Sequence, residues 1–375
     1  MFYIWGKNAI PQRMQALLGA EDQKRTCFID TNPRSWNTMI GESRVVGPEE
    51  LKKGDADKVL IPLYGVPLEK HIVNSLVKSG ISYDKIWIMD EKTWELELHD
   101  HKDLSHMISR DAIPYIRILE FEVTHHCNLK CKGCSHFSPL SEKAFGDFDE
   151  FSKDLEQIAS KIDHVGQIRL MGGEPLLNPD LYKFVEKARQ VYPDSEICVV
   201  TNGIKLIAID DRLKETMKKN DAFFSVSLYP PIQEHAKNLV EEMNKEGIKC
   251  SVAKVADVFG TRLNPKGDSD KETTMFMCTD TICNIFEKGR ISKCSIAHKI
   301  PVYEKYFNME GHFPKCSLDL YEESLSTAKL YELIMGPIDM CAYCGKVKEF
   351  AWDRAGKDPK PQDWEGAGRM TKEVM

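Results

Sequence analysis

The sequence predicts an α/β protein in three segments, and three observations support that reading. Through residues 1–100, short apolar runs alternate with helical patterns: FYIW, NAIPQRMQALLG, TCFID, VLIPLYG, PLEKHIVNSLVKSG and KIWIMD. Strand–helix alternation of this kind builds a small parallel sheet. A second alternation runs over about residues 115–270, where RILEFEVTHHC, QIRLMGG, EICVVTNG and AFFSVSLYP are separated by helical stretches such as FSKDLEQIASKI and DLYKFVEKARQVY. It reads as a partial (β/α)6 barrel. The third observation is the placing of the cysteines: Cys127, Cys131 and Cys134 directly follow the first barrel strand, and further cysteines gather in residues 271–375.

In the first segment, the turn Gly6-Lys-Asn8-Ala-Ile-Pro11 sits where a dinucleotide fold places G-x-G-x-x-G. Asn8 can take the left-handed conformation, but its side chain and Pro11 depart from the glycines that let a pyrophosphate approach. Asp30, at the end of the second strand, lies about where a ribose-binding acid would be. The pattern and WGKNAI make residues 1–100 similar to the N-terminal Rossmann-like domains of some nucleotide-sugar-modifying enzymes. The charged stretch 91–111 reads as a linker.

Composition narrows the class. A net charge of −7 and a pI near 5.9 argue against nucleic acid or an anionic membrane as the main partner. No apolar run is long enough to span a bilayer. The start MFYIWGKNAIPQRM has no basic region leading an apolar stretch, so no signal peptide is expected. Twelve cysteines then point to metal ligation in a reducing cytoplasm.

In the first barrel strand, Leu119, Phe121 and Val123 alternate with Glu120, Glu122 and Thr124, which predicts one apolar and one polar face. The apolar face should meet the outer helices and the polar face the lumen. Sites in β/α barrels lie at the C-terminal ends of strands. Cys127, Gly172-Gly173, Thr201-Asn202-Gly203 and Ser227-Leu-Tyr229 all fall there.

Cys127-Asn-Leu-Lys-Cys131-Lys-Gly-Cys134 has the spacing C-x3-C-x2-C, and Met171-Gly-Gly-Glu-Pro175 follows. Thiolates this close on one loop can wrap an iron–sulfur cluster, and three of them leave one iron open. A zinc knuckle, with His125, His126 or His136 as fourth ligand, or a redox-active cysteine pair is the alternative. The loop resembles the cluster motif of radical S-adenosylmethionine (SAM) enzymes, and Gly172-Gly173-Glu174-Pro175 resembles their methionine-binding motif. That resemblance implies a [4Fe–4S] cluster whose open iron is chelated by SAM, reductive cleavage to a 5′-deoxyadenosyl radical, and hydrogen abstraction from substrate. It also implies a flavodoxin- or ferredoxin-type electron donor. The backbone of Met171–Gly173 would receive the cofactor's amino group, Glu174 would assist, and Pro175 would stiffen the turn. Asn202, Ser225 and Ser227 would contact ribose and carboxylate. Members of the family usually carry an aromatic residue before the third cysteine. Here that position is Gly133, with His136 or Phe137 as substitutes.

Glu120, Glu122, Arg169 and Tyr229 are the lumen-facing candidates for substrate handling. A structural Arg169–Glu122 pair is the alternative to a substrate clamp. In the last segment, Cys278, Cys283, Cys294, Cys341 and Cys344 resemble a twitch or SPASM-type extension, which implies one auxiliary [4Fe–4S] cluster. Five cysteines then compete for four positions, with Cys283 the most dispensable. A closed zinc site is the alternative. Cys27, Cys198 and Cys250 lie in strand patterns and read as core, while Cys316 is isolated.

Three functions follow. One is a radical enzyme that oxidises or epimerises a sugar, aminocyclitol or nucleotide-sugar, with Cys316 as a conceivable hydrogen donor. The second is a maturase of ribosomally made peptides, which usually carries a winged-helix domain first. The third is a non-catalytic iron–sulfur or zinc protein, which leaves Gly-Gly-Glu-Pro unexplained.

Overall fold

Strand-length apolar segments separated by helices fold here into two parallel-type sheets, one in each of two units. The computed structural model describes residues 1–62, 66–89, 107–109, 115–162 and 164–372. One unit comprises Met1–Tyr115 with Ser326–Gly336, the other Ile116–Leu325 with Pro337–Met375. The 91–111 linker falls outside the described residues apart from Met107–Ser109, which form a strand.

The sheet of the first unit contains β1 (Phe2–Trp5), β2 (Thr26–Ile29), β3 (Met39–Ile40), β4 (Ser43–Val46), β5 (Lys58–Ile61), β6 (Ile86–Met89) and β7 (Met107–Ser109), in the order β3-β4-β2-β1-β5-β6-β7. The strands β4, β2, β1, β5 and β6 pair in parallel, and β3 and β7 pair antiparallel to their neighbours. Ile4, Met14, Leu18, Phe28, Val45 and Leu60 form its core. In the first turn, the left-handed residue is Gly6 (φ 91°), whereas Asn8 is extended (φ −74°) and precedes the helix Ala9–Ala16. Asp30 pairs with Lys7 at 3.2 Å and accepts from the Asn32 amide at 2.8 Å. The chain's own lysine thus meets the acid that the sequence set against a ribose. The helix Thr327–Met335, read from sequence as part of the C-terminal segment, belongs to this unit.

The second unit contains β8 (Tyr115–Thr124), β9 (His164–Gly172), β10 (Glu196–Thr201), β11 (Phe223–Leu228), β12 (Cys250–Val255), β13 (Val258–Leu263), β14 (Cys283–Glu287), β15 (Arg290–Ser292), β16 (Ser317–Asp319) and β17 (Cys344–Ala351). Eight of these form an open sheet, β12-β11-β10-β9-β8-β14-β15-β16, and β13 pairs with β17 in a separate antiparallel ribbon. The strands β8 to β12 with β14 supply the partial barrel. Its sixth strand, β14, lies beyond residue 270, where the sequence had suggested the start of a different domain.

The outer helices begin on side-chain caps: Asp147 accepts from the Glu150 amide at 2.8 Å ahead of Phe148–Ala159, and Asp210 does the same for Leu213 ahead of Asp211–Lys219. The apolar face of β8 meets the first of these helices, as expected. The Phe121 ring lies 4.8 Å from Phe151 and 5.3 Å from Phe286, and Phe151 lies 4.8 Å from Phe184. The opposite face of β8 is buried too. Lys299, from the helix Ser295–Phe307, reaches Glu122 at 2.5 Å and Glu287 at 3.2 Å. His136 and His125 reach Glu122 at 2.9 and 3.1 Å, and His125 and His298 each reach Glu287 at 3.4 Å.

Burial acts to raise the Glu122 carboxyl, but Lys299 and the two histidines outweigh it and hold it well below the usual carboxylate range. A buried charge that loses its partner costs about 3–5 kcal/mol. Lys299→Met should therefore destabilise this unit by about that amount at neutral pH, read as a lower urea midpoint. Because Glu122 is depressed in the folded state, its contribution is present above the ordinary value of 4.5 and is lost as pH falls below it. The gap between variant and wild type should therefore narrow in acid.

Candidate active site

The cysteine loop leaves β8 and turns through two left-handed residues, Lys130 (φ 53°) and Gly133 (φ 69°). A Cβ at Gly133 would stand 2.3 Å from Thr261 Cγ2. That contact excludes an aromatic side chain at this position. Of the proposed substitutes, His136 is tied to Glu122, and Phe137 is fully buried against Tyr303 and Trp364.

Three sets of contacts hold the loop. The Lys132 amide donates to Asp353 O, and the Ala355 amide donates to Lys130 O, both at 2.9 Å. Trp364 Nε1 donates to Cys134 O at 3.0 Å. N–H groups also point at the sulfurs: Trp352 Nε1 is 3.1 Å from Cys131 Sγ, the Leu129 amide 3.4 Å from Cys127 Sγ, and Asn202 Nδ2 3.6 Å from Cys127 Sγ. Donors of this kind suit thiolates that carry iron. In the free chain, burial pushes the Cys127 thiol up to about 11.

The Gly172-Gly173 turn packs on the start of this loop. The Gly173 amide donates to Thr124 O at 2.6 Å and the Glu174 amide to His126 O at 3.0 Å. A Cβ on Gly172 would lie 2.3 Å from Thr124 O, and one on Gly173 2.0 Å from His126 O. The space the glycines leave open on this side is filled by backbone. Glu174 is fully buried and accepts from Thr201 Oγ1 at 2.6 Å, the Asn202 amide at 2.9 Å and the Leu176 amide at 3.0 Å. Burial raises its pKa against those three bonds. The carboxylate thus joins the ends of β9 and β10 and does not face outward.

These elements open on one cavity of about 590 Å³, lined on one side by Cys127, Cys131 and Cys134 and on another by Met171, Gly172 and Gly173. Asn202, Ser227 and Tyr229 also face it. Ser225 does not line it and hydrogen-bonds Cys198. The Tyr229 ring packs 6.0 Å from both Phe259 and Trp352, and burial raises its phenol well above the usual value, with the three loop cysteines adding to the shift.

Arg169 also faces the cavity, but its partner is Glu120 at 3.6 Å, not Glu122 as the sequence suggested. It also meets Gln167 Oε1 at 2.5 Å and Cys283 Sγ at 3.5 Å. Glu122 does not line this cavity because Lys299 and two histidines already occupy its carboxylate. Among the described residues, Glu122, His125 and Glu287 form the one trio of ligand-type atoms within 4.8 Å of one another. Lys299 supplies the cation there.

The remaining cysteines separate into four groups. Cys278, Cys294, Cys341 and Cys344 influence one another electrostatically, and burial raises all four thiols. Cys283 stands apart, on the cavity wall beside Arg169 and Glu120. Cys316 lies near Cys341 and off the cavity, whereas Cys283 lines it. Cys27, Cys198 and Cys250 are buried in β2, β10 and β12. Lys293, Arg262, Trp352 and Trp364 carried no sequence signal.

A cavity at the strand ends of an open β/α barrel, lined by three cysteines and a Gly-Gly turn, is the arrangement that the resemblance to iron–sulfur SAM enzymes implied. Residues 121–246 match the Radical SAM superfamily, so this part of the chain carries a radical SAM domain. A domain of this superfamily implies a [4Fe–4S] cluster and SAM as cofactors. The GTP 3′,8-cyclase of Nautilia profundicola is 32% identical over 121 residues, covering 32% of this chain and 37% of that protein. The GTP 3′,8-cyclase of Sulfurimonas denitrificans is 28% identical over 151 residues, covering 38% and 46%. The chain thus spans less than half the length of these relatives. The crystal structure of BtrN in complex with AdoMet and 2-DOIA aligns with a TM-score of 0.39 at 14% identity, covering 61% of this chain and 92% of that one. Among the described residues, no helix is long and apolar enough to cross a membrane.

The 2.0 Å approach at Gly173 makes a sharp prediction. Gly173→Ala must push the turn off the start of the cysteine loop. The reconstituted variant should lose the iron of that loop while retaining most of its far-UV circular dichroism. Full iron retention would show that the approach is not needed.

Proposed function

We propose that this radical SAM enzyme abstracts hydrogen from a polar, hydroxyl-rich small molecule, a sugar, aminocyclitol or nucleotide-sugar, and oxidises or epimerises a hydroxylated carbon. The observation that most supports this reading is the shared cavity, in which the three loop sulfurs, the Gly-Gly turn and the charged pair Arg169–Glu120 all face one space. When bound, the cluster and SAM supply the radical. Cys127, Cys131 and Cys134 would hold the cluster, and the backbone of Met171–Gly173 with Asn202 and Ser227 would hold SAM. Arg169, Glu120 and Tyr229 would orient substrate. An electron donor of flavodoxin or ferredoxin type would reduce the cluster.

Cys278, Cys294, Cys341 and Cys344 would hold one auxiliary [4Fe–4S] cluster. Lys293 supports this. The residue is 1% exposed, and burial pushes its pKa down to about 8 against the pull of Cys341, Cys294 and Cys278. A cation buried at this depth is costly beside neutral thiols and is compensated beside metal-bound thiolates. The zinc alternative asks for sulfurs about 3.8 Å apart around an ion with bonds of about 2.3 Å. Among the described residues, no three cysteine sulfurs lie within even 4.8 Å of one another.

Reduced, reconstituted protein should cleave SAM to 5′-deoxyadenosine and methionine, and the C127A/C131A/C134A variant should not. Wild type should bind about eight irons and that variant about four. Cleavage at the wild-type rate by the variant overturns the assignment, and about one zinc per chain in place of the second iron set overturns the auxiliary cluster.

The matched relatives favour a second reading, in which the substrate is GTP. Heat protection separates the two, because a ligand stabilises by an amount set by its concentration over its dissociation constant. Nucleotide-sugars or aminocyclitols should protect. Protection by GTP alone establishes the second reading, and protection by a short peptide alone indicates a peptide maturase.

A further inference from the structure

One short segment, Cys278-Thr-Asp280, joins the four-cysteine group to the cavity lining. Cys278 belongs to the four-cysteine group, while Thr279 and Asp280 line the cavity. Arg262, on β13, lines the same cavity. Its Nη1 donates to Cys278 Sγ at 2.9 Å, and its Nη2 lies 3.6 Å from the Asp280 carboxylate. The Arg262 side chain is 17% exposed and that of Asp280 is 40% exposed. One guanidinium is therefore shared between a cysteine and a carboxylate that substrate can reach.

We infer that Arg262 and Asp280 couple the contents of the substrate cavity to the reduction potential of the auxiliary cluster. The inference rests on the proposed cluster at Cys278, Cys294, Cys341 and Cys344. A charge-assisted N–H bond to a ligating sulfur favours the more negatively charged, reduced form and so raises the potential. Asp280 opposes this twice, through its own negative charge and through its hold on the guanidinium. A substrate ammonium or hydroxyl that engages Asp280 weakens both effects. Occupation of the cavity would then make the cluster a better electron acceptor at the time a substrate radical is present. Arg262 is a positioning residue in this scheme, because it acts through Cys278.

The test uses full-length C127A/C131A/C134A protein, in which the auxiliary cluster is the one remaining, and follows its midpoint potential by EPR-monitored redox titration. Arg262→Gln removes the charge and should lower the potential. Asp280→Asn removes the opposing charge and should raise it. Shifts of opposite sign are the expected result, since a purely architectural role has no reason to produce them. If both variants retain about four irons and neither potential moves, the inference is overturned. If the parent itself holds no iron, the auxiliary cluster is overturned first. If Arg262→Gln loads no iron, Asp280→Asn decides alone: a raised potential supports the coupling and an unchanged one ends it.

Discussion

The site depends on a close approach of backbone to backbone. The ends of β8 and β9 come together where the Gly173 amide bonds Thr124 O and the Glu174 amide bonds His126 O. No side chain fits at residues 172 and 173, because a Cβ would fall within about 2.3 Å of a carbonyl oxygen. This contact sets where the cysteine loop starts and where the turn faces. Glu174 then extends the arrangement sideways by accepting from Thr201 and Asn202, which ties β10 into the same mouth. The cavity walls follow from these few bonds.

A second constraint is electrostatic. Glu122, Lys299 and His136 are buried, and Glu287, His125 and His298 are half-buried beside them, in one network of acid and base partners. Lys293 and Arg262 are cations beside the four-cysteine group. In both places, charges removed from water need local compensation. In the first, the protein's own acids and bases meet one another. In the second the cations meet sulfurs, whose charge depends on whether metal is bound.

The C-terminal stretch beyond Cys344 has a larger part in the site than its composition suggested. Trp352 donates to Cys131 Sγ across 221 residues of sequence, Trp364 donates to Cys134 O across 230, and Asp353 and Ala355 bond the loop backbone directly. The cysteine loop is therefore held from both sides, by the glycine turn and by this tail. Its left-handed residues, Lys130 and Gly133, fit the loop into the space between.

Much of this was legible in the sequence because the signals were local. Alternating Leu119, Phe121 and Val123 marked a strand face, the Cys127–Cys134 spacing marked a cluster loop, and Gly172-Gly173 marked a tight turn. Short-range periodicity and spacing reflect backbone geometry, which a sequence carries directly. Partner choice was not legible. Arg169 pairs with Glu120 and leaves Glu122 to Lys299, because a helix that starts 171 residues after Thr124 covers that end of the strand. Likewise, four cysteines gather while Cys283 stays with Arg169, and a tryptophan near the C-terminus bonds the cluster loop. Such contacts depend on how distant segments dock, and the energy that selects them is realised only when desolvated charges and donors find one another in the packed chain.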